Sequence, residues 1–421
     1  MTDFVYDWGI VGLGYVGLPL AVEATGVGMK VLGFDVDESK VSSLRAGQSY
    51  VDDIDDATVR EMYTAGFVAT SSPELLGECA ALSICVPTPW NGWEPDLAYV
   101  RSAAETIGRH LRPGQLVVLE STTHPGTTEE MVLPILEKAS RLKASVDFHL
   151  AYSPERIDPG NKQYGLRNTP KIVAGVDATS SLVAEALYQK VCDEVVVLSG
   201  TREAEMSKLL ENTYRLVNIA LINEMALFAG AMGVDLHEVI RGAATKPFGF
   251  QPFYPSAGVG GHCIPVDPGY LWYEVSRRGH QLSIVEVALE LNARMALHIT
   301  KRAVTLLIDS ERPVQGAKVV LAGVAYKPNV SDARETPARG LAELLIDMGV
   351  DVSYVDPNVE TFAVRDRELV RHEDPLEAAA SADLLIIVQA HREFDLWAMC
   401  EAASIALDTT GKTTRGVAHH I

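Results

Sequence analysis

Gly12, Gly14 and Gly17 stand directly between an apolar strand-forming run, WGIVGLG (8–14), and a helical stretch at 16–29. A strand, G-x-G-x-x-G and a helix in that order restrict this part of the chain to a parallel α/β sheet whose first turn receives a pyrophosphate. The glycines permit the tight turn, close approach of the backbone to phosphate, and close packing of helix on strand. Free N–H groups and the helix dipole at the turn favour negative charge. A second strand, VLGFDVD (31–37), ends in Asp35, whose carboxylate can accept both ribose hydroxyls and would repel a 2′-phosphate. The expected cofactor is therefore NAD rather than NADP. Any one of these elements alone would read as a structural turn or a solvated strand end.

Further buried-strand candidates follow at ALSICVP (81–87), LVVLEST (116–122) and KIVAG (171–175). Strands alternating with helical stretches indicate a doubly wound sheet, ending near Val197. Thr88 and Thr122 lie just beyond two of these strands, where open parallel sheets bind ligands. They serve as neutral donors near the nicotinamide, or simply as capping hydroxyls. From 201 to 233 apolar residues recur at helical spacing without a proline, predicting one long helix that pairs subunits. A second helical stretch covers 282–308, and 245–270 reads as loop. The last part restarts with KVVLAGVAY (318–326), a helix at 337–348, VDVSYVDP (350–357) and DLLIIVQA (383–390). The predicted fold class is α/β: two Rossmann-like doubly wound domains joined by a central long-helix domain, with limits 1–199, 200–305 and 306–421.

A chain of 421 residues with formal net charge −20 is long enough for several domains, and its surface repels nucleic acid and anionic membranes. A locally positive pocket for a phosphorylated small molecule remains compatible with that charge. The five cysteines are scattered and odd in number, which argues against a disulfide framework and a structural zinc site, and no metal is expected. The start does not read as a signal peptide, and no uninterrupted apolar run approaches a membrane span, so the expected location is the cytoplasm.

Cys263 lies in SAGVGGHCIPVDP (256–268), where Gly258, Gly260 and Gly261 let the backbone approach a ligand and nearby N–H groups favour a thiolate. A thiolate is what converts an aldehyde into an adduct able to lose a second hydride. Cys79, Cys85, Cys192 and Cys400 fit a buried structural role better. Lys208 and Asn212 share a face of the long helix and suit a developing oxyanion, though a solvated lysine beside an asparagine reads equally well. Glu155, in YSPER (152–156), could orient or deprotonate water, and Asp267 could hold water or Lys208. Lys327 and Arg334 are cations placed to face a diphosphate. KPFGFQPFY (246–254), with Lys246, either wraps a sugar nucleotide or forms a subunit interface.

Together these segments resemble the family of UDP-sugar and GDP-sugar 6-dehydrogenases over nearly the whole chain. The matching runs are GLGYVGLP (12–19), SPER (153–156), EMSKLLENT (205–213), GVGGHCIPVDP (258–268) and YKPNVSDARETP (326–337). The resemblance implies an NAD-binding domain, a central dimerisation and catalytic-loop domain, and a C-terminal domain for the nucleotide sugar. It implies a four-electron oxidation of a C6 alcohol to the acid, with two NAD consumed in turn, in a homodimer or higher oligomer. Cys263 would be the nucleophile and Lys208 the oxyanion partner supported by Asn212. Glu155, Asp267 and Thr122 would manage water and protons. Gly12, Gly14, Tyr15, Val16, Gly17, Asp35, Thr88, Thr122 and Arg334 would contact the cofactor. Glu155, Arg156, Lys208, Asn212, Lys246, Phe253, Tyr254, Gly260 and Lys327 would contact the substrate.

The loop GGHCIPVDP resembles the branch acting on N-acetylated hexosamines, and UDP-N-acetylglucosamine is the expected substrate. Ile157, where that branch has Glu, and Ser256-Ala257 before the glycine loop keep UDP-glucose and UDP-N-acetylmannosamine open. A two-electron hydroxyacid dehydrogenase would leave the Cys263 loop and third domain without purpose. A non-catalytic NAD or nucleotide-sugar sensor would bind without forming NADH.

Overall fold

Short apolar runs rich in Val, Ile and Leu become parallel strands buried on both faces, because helical crossovers cover each side of the sheet. The computed structural model describes residues 4–51, 53–91, 94–158, 161, 163–261, 264–414 and 416–421. The chain divides into two compact units, Met1–Glu211 with Gly269–His280, and Asn212–Pro268 with Gln281–Ile421. The architecture is α/β, with a Rossmann-like sheet in each unit and a long central helical region.

The first unit contains β1 (Tyr6–Val11), β2 (Val31–Phe34), β3 (Val68–Thr70), β4 (Cys79–Ile84), β5 (Leu116–Leu119), β6 (His149–Tyr152), β7 (Lys171–Gly175) and β8 (Val195–Val197). They lie in the order β3-β2-β1-β4-β5-β6-β7-β8, parallel except for β6 against β7. The order reverses between β1 and β4, so the ligand crevice belongs at the C-terminal ends of those strands. Alternate side chains enter different cores: Trp8, Ile10, Val31 and Val118 pack on one face. Val11, Leu32, Ile84, Val117 and Leu119 pack on the other. Each such side chain contributes about 1.5–3 kcal/mol on burial.

The second unit contains β9 (Lys318–Ala322), β10 (Asp351–Val355), the ribbon β11 (Ala363–Val364) and β12 (Arg367–Glu368), β13 (Arg371–His372), β14 (Leu384–Ile387), β15 (Ala406–Asp408) and β16 (His419–His420). The sheet order β13-β10-β9-β14-β15-β16 repeats the inner order of the first sheet. Several strands stop two or three residues short of the apolar runs that predicted them. At Gly12–Gly14 and Cys85–Pro87 the apolar composition continues past the end of the strand into the loop at the sheet edge, and after β5 the chain turns polar at Glu120–Thr122.

The long helix is Thr201–Met232, and a second runs Ser283–Asp309. Thr201–Met232 is long and apolar enough, by length and composition, to cross a membrane, although it also carries Lys208, Glu211, Arg215 and Glu224. The segment read as loop up to residue 270 instead turns helical at Asp267–Arg277. Pro268 does not prevent this, because a proline in the first helical turn gives up an N–H that has no intrahelical partner.

Candidate active site

The three glycines of the first turn meet three different surroundings. Gly12 has φ +96°, and a Cβ there would lie 2.6 Å from the Cys85 carbonyl oxygen. A Cβ on Gly17 would lie 1.9 Å from the Gly12 oxygen, while one on Gly14 would meet nothing within 4 Å. Gly12 and Gly17 are thus required by the fold, and Gly14 faces open space. Asp35 Oδ2 accepts from the Leu13 N–H at 2.9 Å and Oδ1 from the Asp37 N–H at 2.9 Å. Lys40 Nζ lies 3.6 Å from Oδ2, and with one N–H on each oxygen the carboxylate braces the turn and can still accept a ribose hydroxyl, at Oδ1 above all. An open glycine facing the turn together with an acceptor at the second strand end fits a dinucleotide. Tyr15, half-exposed, and Val16 follow Gly14 directly.

Around Glu155 the structure assembles a buried network that the sequence reading did not anticipate. Lys171, at the start of β7, lies 2.9 Å from Glu120 Oε2 and 3.2 Å from Glu155 Oε2. The Tyr188 hydroxyl donates to Glu120 Oε1 at 2.7 Å. Glu155 Oε1 accepts the N–H groups of Arg156 and Ile157, both at 2.6 Å. Burial alone would raise the Glu155 carboxyl, but Lys171, the Ile157 N–H and Lys208 outweigh it and hold the group below its usual range. Burial likewise opposes the Lys171 ammonium, yet Glu120 and Glu155 keep it above its ordinary value. The Glu155 carboxylate is therefore ionised and turned inward. Its main-chain carbonyl accepts a hydrogen bond from Lys208 Nζ. Arg156 pairs with Glu211 at 2.7 Å.

The Thr88 carbonyl accepts from the Tyr270 hydroxyl, and Tyr270 packs edge-on against Trp90. Thr122 is half-buried in the turn after β5. That turn is held by Glu205, fully buried on the long helix one turn before Lys208. Glu205 Oε1 accepts from the Thr128 N–H at 2.9 Å and its hydroxyl at 2.8 Å, and Oε2 from the Gly126 N–H at 2.6 Å.

In the second unit Asn212 donates to Asp267 at the start of its helix, and Asp267 is buried. Gly260 and Gly261 lie against the 326–337 segment. A Cβ on Gly260 would sit 2.7 Å from both the Glu335 oxygen and Pro337 Cδ, and one on Gly261 would sit 2.7 Å from the Tyr326 ring. Lys327 Nζ lies 5.6 Å from the Tyr326 ring centroid, and Arg334 forks onto Asp332 at 3.0 and 2.8 Å. Lys246 lies over the exposed Phe248 ring, Phe253 packs edge-on against Tyr214, and Tyr254 stacks on His237. Cys263 and His262 lie outside the described residues. The other cysteines are buried and free. Burial pushes the Cys79 thiol up to about 12 and Cys192 and Cys400 to about 11, as expected of inert structural thiols. Among the described residues no group of His, Cys, Asp and Glu is arranged to hold a metal ion.

Three family models match the chain in succession: the NAD binding domain of the UDP-glucose/GDP-mannose dehydrogenase family at residues 7–192, its central domain at 202–294, and its UDP binding domain at 320–414. The chain belongs to the UDP-glucose/GDP-mannose dehydrogenase family. It is 36% identical over 393 residues to a UDP-N-acetyl-D-glucosamine 6-dehydrogenase of Pseudomonas aeruginosa, covering 91% of this chain and 90% of the relative. It is 34% identical over 399 residues to a UDP-N-acetyl-D-mannosamine dehydrogenase of Yersinia pestis, covering 91% and 93%. A UDP-D-ManNAc dehydrogenase structure from Pyrococcus horikoshii matches with a TM-score of 0.89 at 30% identity, covering 99% of each chain.

The dehydrogenase uses NAD and oxidises the C6 alcohol of a UDP-linked hexose or hexosamine to the uronic acid. That sets aside the two-electron hydroxyacid reading and the non-catalytic sensor. Glu120, Lys171 and Glu205 escaped the sequence reading, although a signal was present. A lysine opening the apolar strand KIVAG and an acid closing LVVLE are each unusual for a sheet buried on both faces.

Proposed function

We propose that this dehydrogenase converts UDP-N-acetylglucosamine to its uronic acid through a covalent bond to Cys263. Bound NAD supplies the hydride acceptor, once for the alcohol and once, after exchange, for the aldehyde adduct. Loss of a hydride and a proton from the C6 alcohol gives the aldehyde. The Cys263 thiolate adds to its carbonyl carbon to give a thiohemiacetal, and loss of the second hydride leaves a thioester. Water then adds to the thioester carbon, the C–S bond breaks, and the carboxylate and thiol are released.

The observation that carries this reading is the partner of Lys208. Its side chain is buried and Nζ donates to the Glu155 main-chain carbonyl, which fixes Nζ while leaving it further N–H donors for a developing oxyanion. Glu155 supports Lys208 in this scheme. By the family resemblance Thr122 and Asp267 share with Glu155 the handling of water and protons, and the Glu155 carboxylate is itself held by Lys171 and two N–H groups. Asn212, bonded to Asp267, ties that acid to the helix carrying Lys208. Lys246, Phe253, Tyr254, Gly260 and Lys327 face the nucleotide sugar, and Arg334 serves the cofactor.

Relatives named for UDP-N-acetylglucosamine support the choice of sugar. The P. horikoshii structure favours UDP-N-acetylmannosamine as the second reading. NADH yield and product mass over UDP-glucose, UDP-N-acetylglucosamine, UDP-N-acetylmannosamine and GDP-mannose decide between them, with two NADH per acid expected. Cys263→Ala is expected to form no sugar acid, and acid formed at the normal rate would overturn the covalent step. Cys263→Ser is expected to hold an ester visible as a persistent mass increase on the intact protein. The same reading divides the chain at 199/200 and 305/306 and makes it a cytoplasmic homodimer or higher oligomer.

A further inference from the structure

The second sheet repeats the nucleotide turn of the first with a different outcome. Gly323 follows β9 as Gly12 follows β1, with φ +81° against +96°. The Gly12 N–H donates to the Phe34 oxygen at 2.8 Å, and the Gly323 N–H to the Val355 oxygen at 2.9 Å. A Cβ on either glycine would lie 2.6 Å from a carbonyl oxygen, of Cys85 or of Gln389. Asp356 follows β10 as Asp35 follows β2, and its Oδ2 accepts the Val324 and Ala325 N–H groups at 2.7 and 3.1 Å.

Asp35 accepts one N–H on each oxygen, with Lys40 Nζ 3.6 Å from Oδ2, and so keeps a spare lone pair on Oδ1, whereas Asp356 has none. Its Oδ1 accepts from the Asn358 and Val359 N–H groups, at 2.9 and 3.1 Å. Its Oδ2 takes a third donor, His391 Nε2 at 3.1 Å, with both side chains fully buried. An imidazole thus fills the position that the first sheet leaves for a ribose.

His391 carries this anchorage onward. Its Nδ1 accepts the Asn329 N–H at 3.0 Å and lies 3.1 Å from Asn358 Nδ2. A backbone N–H can only donate, so Nδ1 is the unprotonated nitrogen and the Nε2–H points at Asp356. The Arg392 N–H binds Asn329 Oδ1 at 2.8 Å, and Gln389 Nε2 binds the Tyr326 oxygen at 3.1 Å. Asn329 and Glu335 sit at φ +66° and +48°, a backbone region that needs such outside support in residues other than glycine. The Gly261 N–H in turn donates to the Glu335 oxygen at 3.0 Å. The 326–335 segment is therefore both the carrier of Lys327 and the floor of the glycine loop leading to Cys263.

We infer that His391 is a positioning residue for the nucleotide-sugar side: fixed by Asp356, it sets the 326–335 segment through the Asn329 N–H. The inference rests on the assignment of Lys327 to the substrate. His391→Asn can keep an acceptor near Nδ1, whereas His391→Gln can keep only a donor towards Asp356, so the pair separates the two bonds. The measurements are UDP affinity by calorimetry on the full chain, NAD affinity for comparison, and kcat and KM for the nucleotide sugar.

His391→Gln and His391→Ala are expected to raise the UDP Kd and the sugar KM at least about tenfold, with His391→Asn within about threefold of the parent, and to change the NAD Kd, through Arg334 alone, by less than the UDP Kd. If His391→Ala fails to fold, the Asn and Gln proteins still decide the matter. UDP affinity equal to the parent in both, or better in Gln than in Asn, overturns the role of His391 alone. A parent protein that neither binds UDP nor forms NADH overturns the Lys327 assignment and the proposed function with it.

Discussion

Each glycine of the nucleotide turn has a different neighbour, so substitutions there separate folding from ligand binding. Gly17→Ala would force a methyl group into the Gly12 carbonyl, 1.9 Å away, and is expected to destabilise the turn and abolish NAD binding. Gly14→Ala meets nothing in the protein. It is expected to melt close to the parent while its KM for NAD rises about tenfold or more, because the methyl group occupies the space the phosphates approach. Equal NAD kinetics in Gly14→Ala and the parent would remove that turn from the cofactor site. Lys171→Met leaves Glu120 and Glu155 buried without their cation and is expected to cost roughly 3–5 kcal/mol in denaturant unfolding. The glycines were legible from spacing alone. Lys171 was not, because its carboxylate partner Glu120 lies 51 residues away in sequence.

Among the elements, the long helix and the turn after β5 are joined by one carboxylate. Burial raises the Glu205 carboxyl to about 7, against the pull of its Thr128 and Gly126 donors. A carboxyl raised in the folded state contributes stability that is complete below its unfolded value, and that stability fades as pH rises through about 7. Glu205→Gln keeps the group neutral at every pH. From pH 5 to 8.5 the parent is therefore expected to lose stability relative to Glu205→Gln, by on the order of 3 kcal/mol. Thermal melts of both proteins across that range check this, and a constant difference would discard the assignment. The helices Thr201–Met232 and Ser283–Asp309 were readable from their 3.6-residue apolar period. The helix Asp267–Arg277 was hidden because prolines and glycines before it give a loop composition, while its first turn accepts Pro268 without loss.

At the scale of the whole molecule, the long helix leaves Leu210, Leu221, Met225, Phe228 and Met232 exposed. A row of exposed apolar side chains on one helix marks an interaction surface, and the proposed dimer would cover it. Leu221→Glu with Phe228→Glu is expected to halve the mass seen by light scattering, and an unchanged mass would place the interface elsewhere. Turn chemistry and apolar period act over a few neighbouring residues, so the doubly wound fold, the NAD fingerprint and the long helix could be read along the chain. The inward carboxylate of Glu155, the clamp on Glu205 and the imidazole on Asp356 could not. They arise where distant segments are packed out of water, and there a charged or polar group must take whichever partner the fold brings within about 3 Å.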